Sequence, residues 1–245
     1  MRASLRRAEH RANRLLFALE ADDLAYLEPY LEMVSLQRGQ IICEAGEVLH
    51  YAYFPHDAVI SLVAVMENGS TAEMAVCGRE GVVGLIPTSV TRQAFGNYVV
   101  QMAGTASRIS LDQLQAAVQA RPLIARLMNC FAEAMQARIL QSVVCNAVHS
   151  VEQRLCRWIL STRHRTDQLV LPLTHEVLAE RLGVQRSTVT AIMGKLQAVG
   201  VIQQVRGGIT IADCVKLEQS SCECYRRLWT IFERLLPHTF KAERG

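Results

Sequence analysis

The chain has 245 residues, half of them apolar and a fifth charged, with a formal net charge of +3. That is a globular balance in a length that suits two domains, each able to bury its own core. No apolar run approaches the ~18 residues of a membrane span, and the arginines at 2, 6, 7, 11 and 14 come without the apolar stretch of a secretory signal, so a cytoplasmic location is expected.

Residues 5 to 33 read as helical, with Leu15, Leu16, Leu19, Leu24 and Leu27 apolar and Asp22-Asp23 placed to start a second helix. The early arginines are expected on a solvated, frayed terminus. From Val34 to Ile109 the texture changes to short β-branched and aromatic runs punctuated by glycines. Ala58 to Met66 and Tyr98 to Met102 read as strands, and Asn68-Gly69 as a hairpin turn. Many short strands with closely spaced glycines predict a small antiparallel barrel or roll over residues 34–120.

After Ser110 the period becomes helical, with a short helix from Leu111 to Val118 and an apolar-rich one from Leu123 to about Asn146, opened by Pro122. Leu123, Leu127, Cys130, Ala134 and Ala137 form one stripe, and Ile124, Met128, Phe131 and Met135 a second. One stripe is expected to cover the roll and the other to meet a second copy of the helix, which makes residues 121–147 a dimerisation element.

Residues 148–245 are expected to form the next domain, with Ser150 as a helix cap. Its most informative stretch is Thr174 to Leu196, THEVLAERLGVQRSTVTAIMGKL. Leu178 and Leu182 share a face of a short helix capped by Thr174, and Gly183 ends it by taking the left-handed conformation. Val184, Val189, Ile192 and Leu196 form the buried stripe of a second helix, while Gln185, Arg186, Ser187, Thr188, Thr190 and Lys195 face outward as donors, acceptors and cations. That is a helix-turn-helix with a polar reading face. Val201 to Ile211 then reads as a hairpin around Arg206-Gly207-Gly208, so the whole predicts a winged helix, with Thr174 and Arg206 reaching phosphates. Asp213 is placed to cap a last long helix to about Leu236.

Charge supports this division. Residues 1–14 carry +4, residues 15–146 carry −6 and residues 147–245 carry +5, so the basic excess sits with the helix-turn-helix. The eight cysteines show no disulfide framework, and most are expected to be buried as small apolar residues. No metal site is expected, because Cys222 and Cys224 are two apart on a predicted helix and point about 200° apart around it. No cofactor is predicted. Nor is an enzyme, since no nucleophile with an adjacent base and no tight His/Glu cluster is found in the sequence.

Acidic roll, long helix and winged helix, in that order, resemble the Crp/Fnr family of bacterial transcription regulators. The resemblance runs from about Leu24 to Ile211 and is most specific in GVQRSTVTAIMGKL and in Arg79-Glu80-Gly81-Val82-Val83-Gly84-Leu85. It implies an α+β protein with an N-terminal antiparallel β-roll of the cyclic-nucleotide-binding kind, a dimerisation helix and a C-terminal winged helix-turn-helix. It also implies a homodimer on double-stranded DNA, with RNA polymerase as a further partner and an effector received in the roll. By position Arg186 matches the family's base-reading arginine, whereas Ser187 and Ala191 stand where a glutamate and a second arginine are common. The implied effector pocket involves Val82, Gly84, Leu85 and Arg92. Val82 occupies the position of the glutamate that holds a ribose, and Gln93 follows Arg92 where a small hydroxyl residue is usual, so cyclic AMP in the usual mode is not expected. The alternative function is an effector-binding roll whose winged helix docks on protein instead of DNA.

Overall fold

The computed structural model describes residues 9–69, 71–84, 91–166, 169–237 and 239. The first helix, α1 (Arg14–Ala18), is pinned by Asn13, whose Oδ1 accepts from the Leu15 and Leu16 amides at 3.0 and 3.2 Å. The Nδ2 of the same side chain donates to the carbonyls of Pro55 and Gly81 at 2.9 and 2.8 Å. One asparagine thus caps a helix and seats it on the roll, and Leu15 and Leu16 are fully buried beneath it. A frayed terminus therefore does not extend past His10: Arg14 is only 8% exposed, while Arg2, Arg6 and Arg7 lie outside the described residues. Helix α2 (Ala21–Leu27) and a 3₁₀ turn (Glu28–Tyr30) follow, and the chain is already in a strand by Glu32. Pro29 lacks the N–H that a helix interior must donate, so the helical stretch stops short of residue 33.

The roll consists of β1 (Glu32–Leu36), β2 (Ile41–Cys43), β3 (Tyr51–Pro55), β4 (Val59–Val65), β5 (Thr71–Cys77), β6 (Asn97–Met102) and β7 (Gly104–Ser110). They form two antiparallel sheets, ordered β1-β7-β3 and β2-β6-β4-β5. The β4–β5 hairpin turns where Asn68-Gly69 predicts, with Gly69 at φ +78° and Val65 opposite Thr71. Phe54, Ile60, Val100, Ala106 and Ile109 fill the space between the sheets.

Helix α3 (Leu111–Ala120), capped by Ser110, leads into α4 (Pro122–Val148), which opens on its proline. Ile124, Met128 and Phe131 of one expected stripe are buried against the roll, but so is Ala134 of the other, with Leu127 and Cys130 packed beside it, so the two stripes are not divided between the roll and a second copy. The ring of Phe131 lies so close over Gly81 that any Cβ there would collide with it. Helix α5 (Val151–Thr166) starts with Ser150 and Gln153 in a reciprocal cap, each side chain taking the other's amide at 3.1 and 3.3 Å. Then come β8 (Val170–Leu171), α6 (His175–Leu182), α7 (Arg186–Ala198), β9 (Ile202–Val205), β10 (Gly208–Ile211) and α8 (Cys214–Ser220). Leu155, Ile159, Leu178, Val189, Met193 and Ile209 form their common core. No described helix is long and apolar enough to cross a membrane.

Two sequence expectations change here. The long helix predicted from Asp213 to Leu236 is broken: Asp213 caps α8, but Ser221 is extended (φ −84°, ψ 162°), and α9 runs from Cys224 to Leu235. The chain after Ser220 also spans two cores: Tyr225 stays in the winged-helix cluster and meets His164 of α5, while later residues reach the roll. Tyr225, Leu228 and Phe232, spaced on one face of α9, need apolar cover, and α9 packs on α4 with Phe232 and Leu236 in the roll's core cluster. Helix α9 thus bridges the two cores, with Tyr225 in that of the winged helix and Phe232 and Leu236 in that of the roll.

Roll, long helix and winged helix meet in a buried ionic knot. Glu80, 1% exposed, accepts from Arg138 of α4 at 3.3 Å and from Arg165 of α5 at 2.9 Å. Its second oxygen takes the Gly78 amide at 3.1 Å, and Arg138 also donates to the Val76 carbonyl at 2.7 Å and lies over the Phe232 ring. Burial alone would raise the Glu80 pKa, but Arg165 and Arg138 outweigh it and hold the carboxyl below its ordinary value. Burial, helped by the like charge of Arg165, pushes Arg138 down to about 10. Gly78 lets this close approach happen, since a Cβ there would sit 2.8 Å from the Arg165 Cβ.

Glu80→Gln leaves two buried guanidiniums without a counter-charge and should cost about 3 to 5 kcal/mol in urea unfolding; an unchanged midpoint would remove the knot from the account of stability. A pH effect arises at His56, whose Nε2 pairs with Ser107 Oγ at 2.7 Å, with His10 on the other side of that hydroxyl. Burial first, then His10, lowers the His56 pKa from 6.5 to about 4, with Asp57 opposing and Arg79 adding. The unfolded chain then takes up a proton that the folded one refuses, so this contribution is complete above pH 6.5 and is lost as pH falls toward 4. His56→Gln should flatten the stability slope across that window, and an unaltered slope would assign it to other groups.

Candidate nucleic-acid interface and effector cavity

Thr174 caps α6, its Oγ1 accepting from the Val177 amide at 3.2 Å, and Gly183 ends it at φ +65°. The Val184 amide returns to the Ala179 carbonyl at 3.1 Å, which sets the turn into α7. Val189, Met193 and Leu196 are buried and Ile192 and Val184 half-buried, so Met193 takes a central place that the spacing had given to Ile192. With that stripe fixed inward, Gln185, Arg186, Ser187, Thr188, Thr190 and Lys195 are all exposed. The structure gathers the first five at the N-terminal end of α7. Lys195 lies further along and is held by Glu152 of α5 at 2.7 and 2.8 Å.

Arg186 is paired with Glu176 Oε1 at 2.9 Å, both side chains being more than half exposed. Such a pair is worth at most about 1 kcal/mol, so the guanidinium is readily given up to another acceptor. His175, which the sequence reading passed over, joins three elements: its ring nitrogens meet Thr190 Oγ1 of α7 at 3.0 Å and Gln204 Oε1 of β9 at 3.1 Å. Nothing local in the sequence marks it, because its partners are 15 and 29 residues away. The wing is the antiparallel sheet β8-β10-β9 with exposed Arg206 at its tip. Gly207 alone supplies the positive φ, +88°; Gly208 is needed instead because a side chain would strike the Leu171 backbone of β8.

A cavity of about 560 Å³ lies between the β4–β5–β6 side of the roll and α4, lined among others by Leu62, Val82, Gly84, Phe95, Tyr98 and Met135. Val82 and Gly84, two of the residues of the implied effector pocket, line this cavity, and Leu85 lies outside the described residues. Arg92 is not there. At φ +54° it turns its guanidinium to α3, meeting Asp112 at 2.7 Å and Gln115 at 2.8 Å. Among the described residues no arginine or lysine lines this cavity, and burial raises the Tyr98 hydroxyl to about 12. Such walls offer little to a phosphate and much to an apolar molecule.

Residues 153–220 match the family model of the Crp-like helix-turn-helix domain. The global nitrogen regulator of Synechococcus elongatus is 25% identical over 202 residues, covering 77% of this chain and 89% of that protein. FixK2 from Bradyrhizobium japonicum shares the fold at a TM-score of 0.69, with 14% identity over 78% of this chain and 98% of its own. A Crp/Fnr-family transcriptional regulator of Thermus thermophilus does so at 0.62, with 22% identity over 78% of this chain and 98% of its own. The matched domain and the fold agree: residues 153–220 form a Crp-like helix-turn-helix domain, in a chain that shares the fold of solved Crp/Fnr-family regulators.

Proposed function

We propose that the protein binds DNA as a homodimer, reads a two-fold symmetric site with α7, and is controlled through its roll. The observation that carries this reading is the exposed polar end of α7, with Gln185, Arg186, Ser187 and Thr190 standing over a fully buried stripe and Arg206 on the adjoining wing. Arg186 is the direct base reader, a bidentate donor suited to a guanine edge, and Ser187, Thr188 and Thr190 contribute shorter-range contacts. Arg206 meets a phosphate, and Thr174, committed to its cap, supports the helix that crosses the backbone. RNA polymerase is the partner through which such a regulator acts on transcription.

Dimerisation is supported by the second face of α4. Leu140, Val143 and Val148 are 61%, 64% and 66% exposed, with Ile139 and Val144 beside them. A stripe of this kind on a long helix is what a second copy of the helix covers. Two α7 helices then face half-sites about 34 Å apart. The effector, received in the cavity between roll and α4, is an uncharged and largely apolar molecule, as the turned-away Arg92 and the lack of a lining cation among the described residues argue.

Selection of duplexes from a random library should return a symmetric consensus, and cyclic AMP should leave affinity for it unchanged. Arg186→Ala should cost about 1 to 3 kcal/mol and relax preference at one base pair per half-site; equal loss on every sequence would make Arg186 a phosphate contact. Binding that ignores salt would favour a protein partner for the winged helix instead, because phosphate contacts make log affinity fall with log salt. Separately, Leu140→Glu with Val143→Glu should convert the dimer to monomer in sedimentation, and a wild-type monomer at micromolar concentration would overturn the α4 interface.

A further inference from the structure

The break between α8 and α9 has a chemical result. It carries Cys222 and Cys224 over the end of α4, where Cys145 of the last turn and His149, the residue that caps the helix, stand four residues apart. One ligand atom from each of these four residues lies within 4.8 Å of all the others. Cys145 Sγ is 3.5 Å from Cys222 Sγ, and His149 Nδ1 is 3.6 Å from Cys224 Sγ. All three cysteines are nearly inaccessible, at 0%, 2% and 0% exposure.

We propose that Cys145, His149, Cys222 and Cys224 hold a single tetrahedral divalent metal ion of the zinc class. Bonds of about 2.3 Å to sulfur and about 2.0 to 2.1 Å to nitrogen give a tetrahedron with edges of about 3.6 to 3.8 Å, close to the two separations above. The surroundings are those of a finished site. His149 turns Nδ1 inward and places Nε2 2.9 Å from the Glu223 carboxylate, the outer partner that orients a ligating imidazole. Gln141 Nε2 donates to Cys224 Sγ at 3.1 Å. Three thiolates and a neutral imidazole around a divalent ion leave one negative charge, and Arg157, which acts electrostatically on Cys145 and Cys222, offsets it. An iron–sulfur cluster puts its own irons and sulfides between the thiolates and needs wider spacing than these four atoms have.

Binding releases the thiol protons of the three cysteines to solvent and changes no oxidation state. The ion fastens the end of the long helix to the start of α9, outside the matched residues 153–220 and next to the joint at Ser150 from which the winged helix departs. Metal occupancy would therefore set how firmly the winged helix is held relative to α4.

The test uses the full chain, reduced and stripped with a chelator, then titrated with cobalt(II). One equivalent per chain should bind, with the strong visible bands of tetrahedral cobalt and thiolate-to-cobalt charge transfer, and zinc should displace it. Cys145→Ser and Cys222→Ser should abolish these bands, whereas Cys214→Ser, at an exposed cysteine outside the cluster, should keep them. Glu223→Gln alters a surface side chain and should fold normally, yet bind about 10- to 100-fold more weakly. The proposal is overturned if only octahedral cobalt forms, if the bands survive Cys222→Ser, if Glu223→Gln binds as tightly as wild type, or if reduced protein repeatedly yields a Cys145–Cys222 disulfide in place of bound metal.

Discussion

The structure depends on one desolvated carboxylate. Glu80 is out of water, and its two guanidinium partners come from α4 and α5, so the ion pairs exist only when roll, long helix and winged helix are all in place. Buried pairs add little net stability because desolvation consumes the Coulomb gain, but breaking one is expensive. The knot thus acts chiefly as a register. It penalises any arrangement in which α5 swings away with Arg165 or α4 turns Arg138 aside. The glycines around Glu80 make the register attainable, Gly78 by admitting the Arg165 backbone and Gly81 by admitting the Phe131 ring.

A second carboxylate, on β5 just before the turn that carries Glu80, works alongside it. Glu73 of β5 takes the Ser61 hydroxyl at 2.6 Å, the Trp158 Nε1 of α5 at 3.2 Å and the Arg181 guanidinium of α6 at 3.5 Å. The acidic middle and basic end of the chain therefore attract each other within one molecule, besides giving the winged helix a field suited to phosphate. Arg165 and Arg181 are spent on the roll, whereas Arg186 and Arg206 remain at the surface. Net charge alone does not separate these two uses, and burial does.

What the sequence made legible was whatever depends on near neighbours. The cap at Thr174, the turn at Gly183, the hairpin at Gly69 and the inward stripe of α7 follow from spacings of a few residues, and so does the start of α4 at Pro122. What it hid was set by partners far away. His10 meets Ser107 across 97 residues, and Arg165 meets Glu80 across 85. The helix break at Ser221 was missed because neither Gly nor Pro marks it; the extended serine is stabilised by its own hydroxyl on the Glu218 carbonyl at 2.8 Å, and the interruption lets α9 bury Phe232 against α4. That error also hid the approach of Cys222 and Cys224 to α4, since the angular argument holds only while the helix is continuous. Arg92 shows the same limit: its position matched the resemblance, but its guanidinium is committed to α3.

Helix α4 is one of two links between the roll and the winged helix, the other being the direct hold of Glu80 and Glu73 on α5 and α6. Its first half packs Phe131 on the roll beside the apolar cavity, its middle holds Arg138 in the knot, its outer side leaves Leu140 and Val143 exposed, and its end presents Cys145, with the capping His149, to the start of α9. On the proposed reading, a ligand filling the cavity would press on Phe131 and Met135 of α4, which line it. Under that reading the knot would make the response discrete, because a buried guanidinium half-withdrawn from its carboxylate is less stable than one fully paired or fully hydrated. Control by such a helix consists of changing which set of these contacts is complete, and only a ligand that binds one set more tightly than the other can do that.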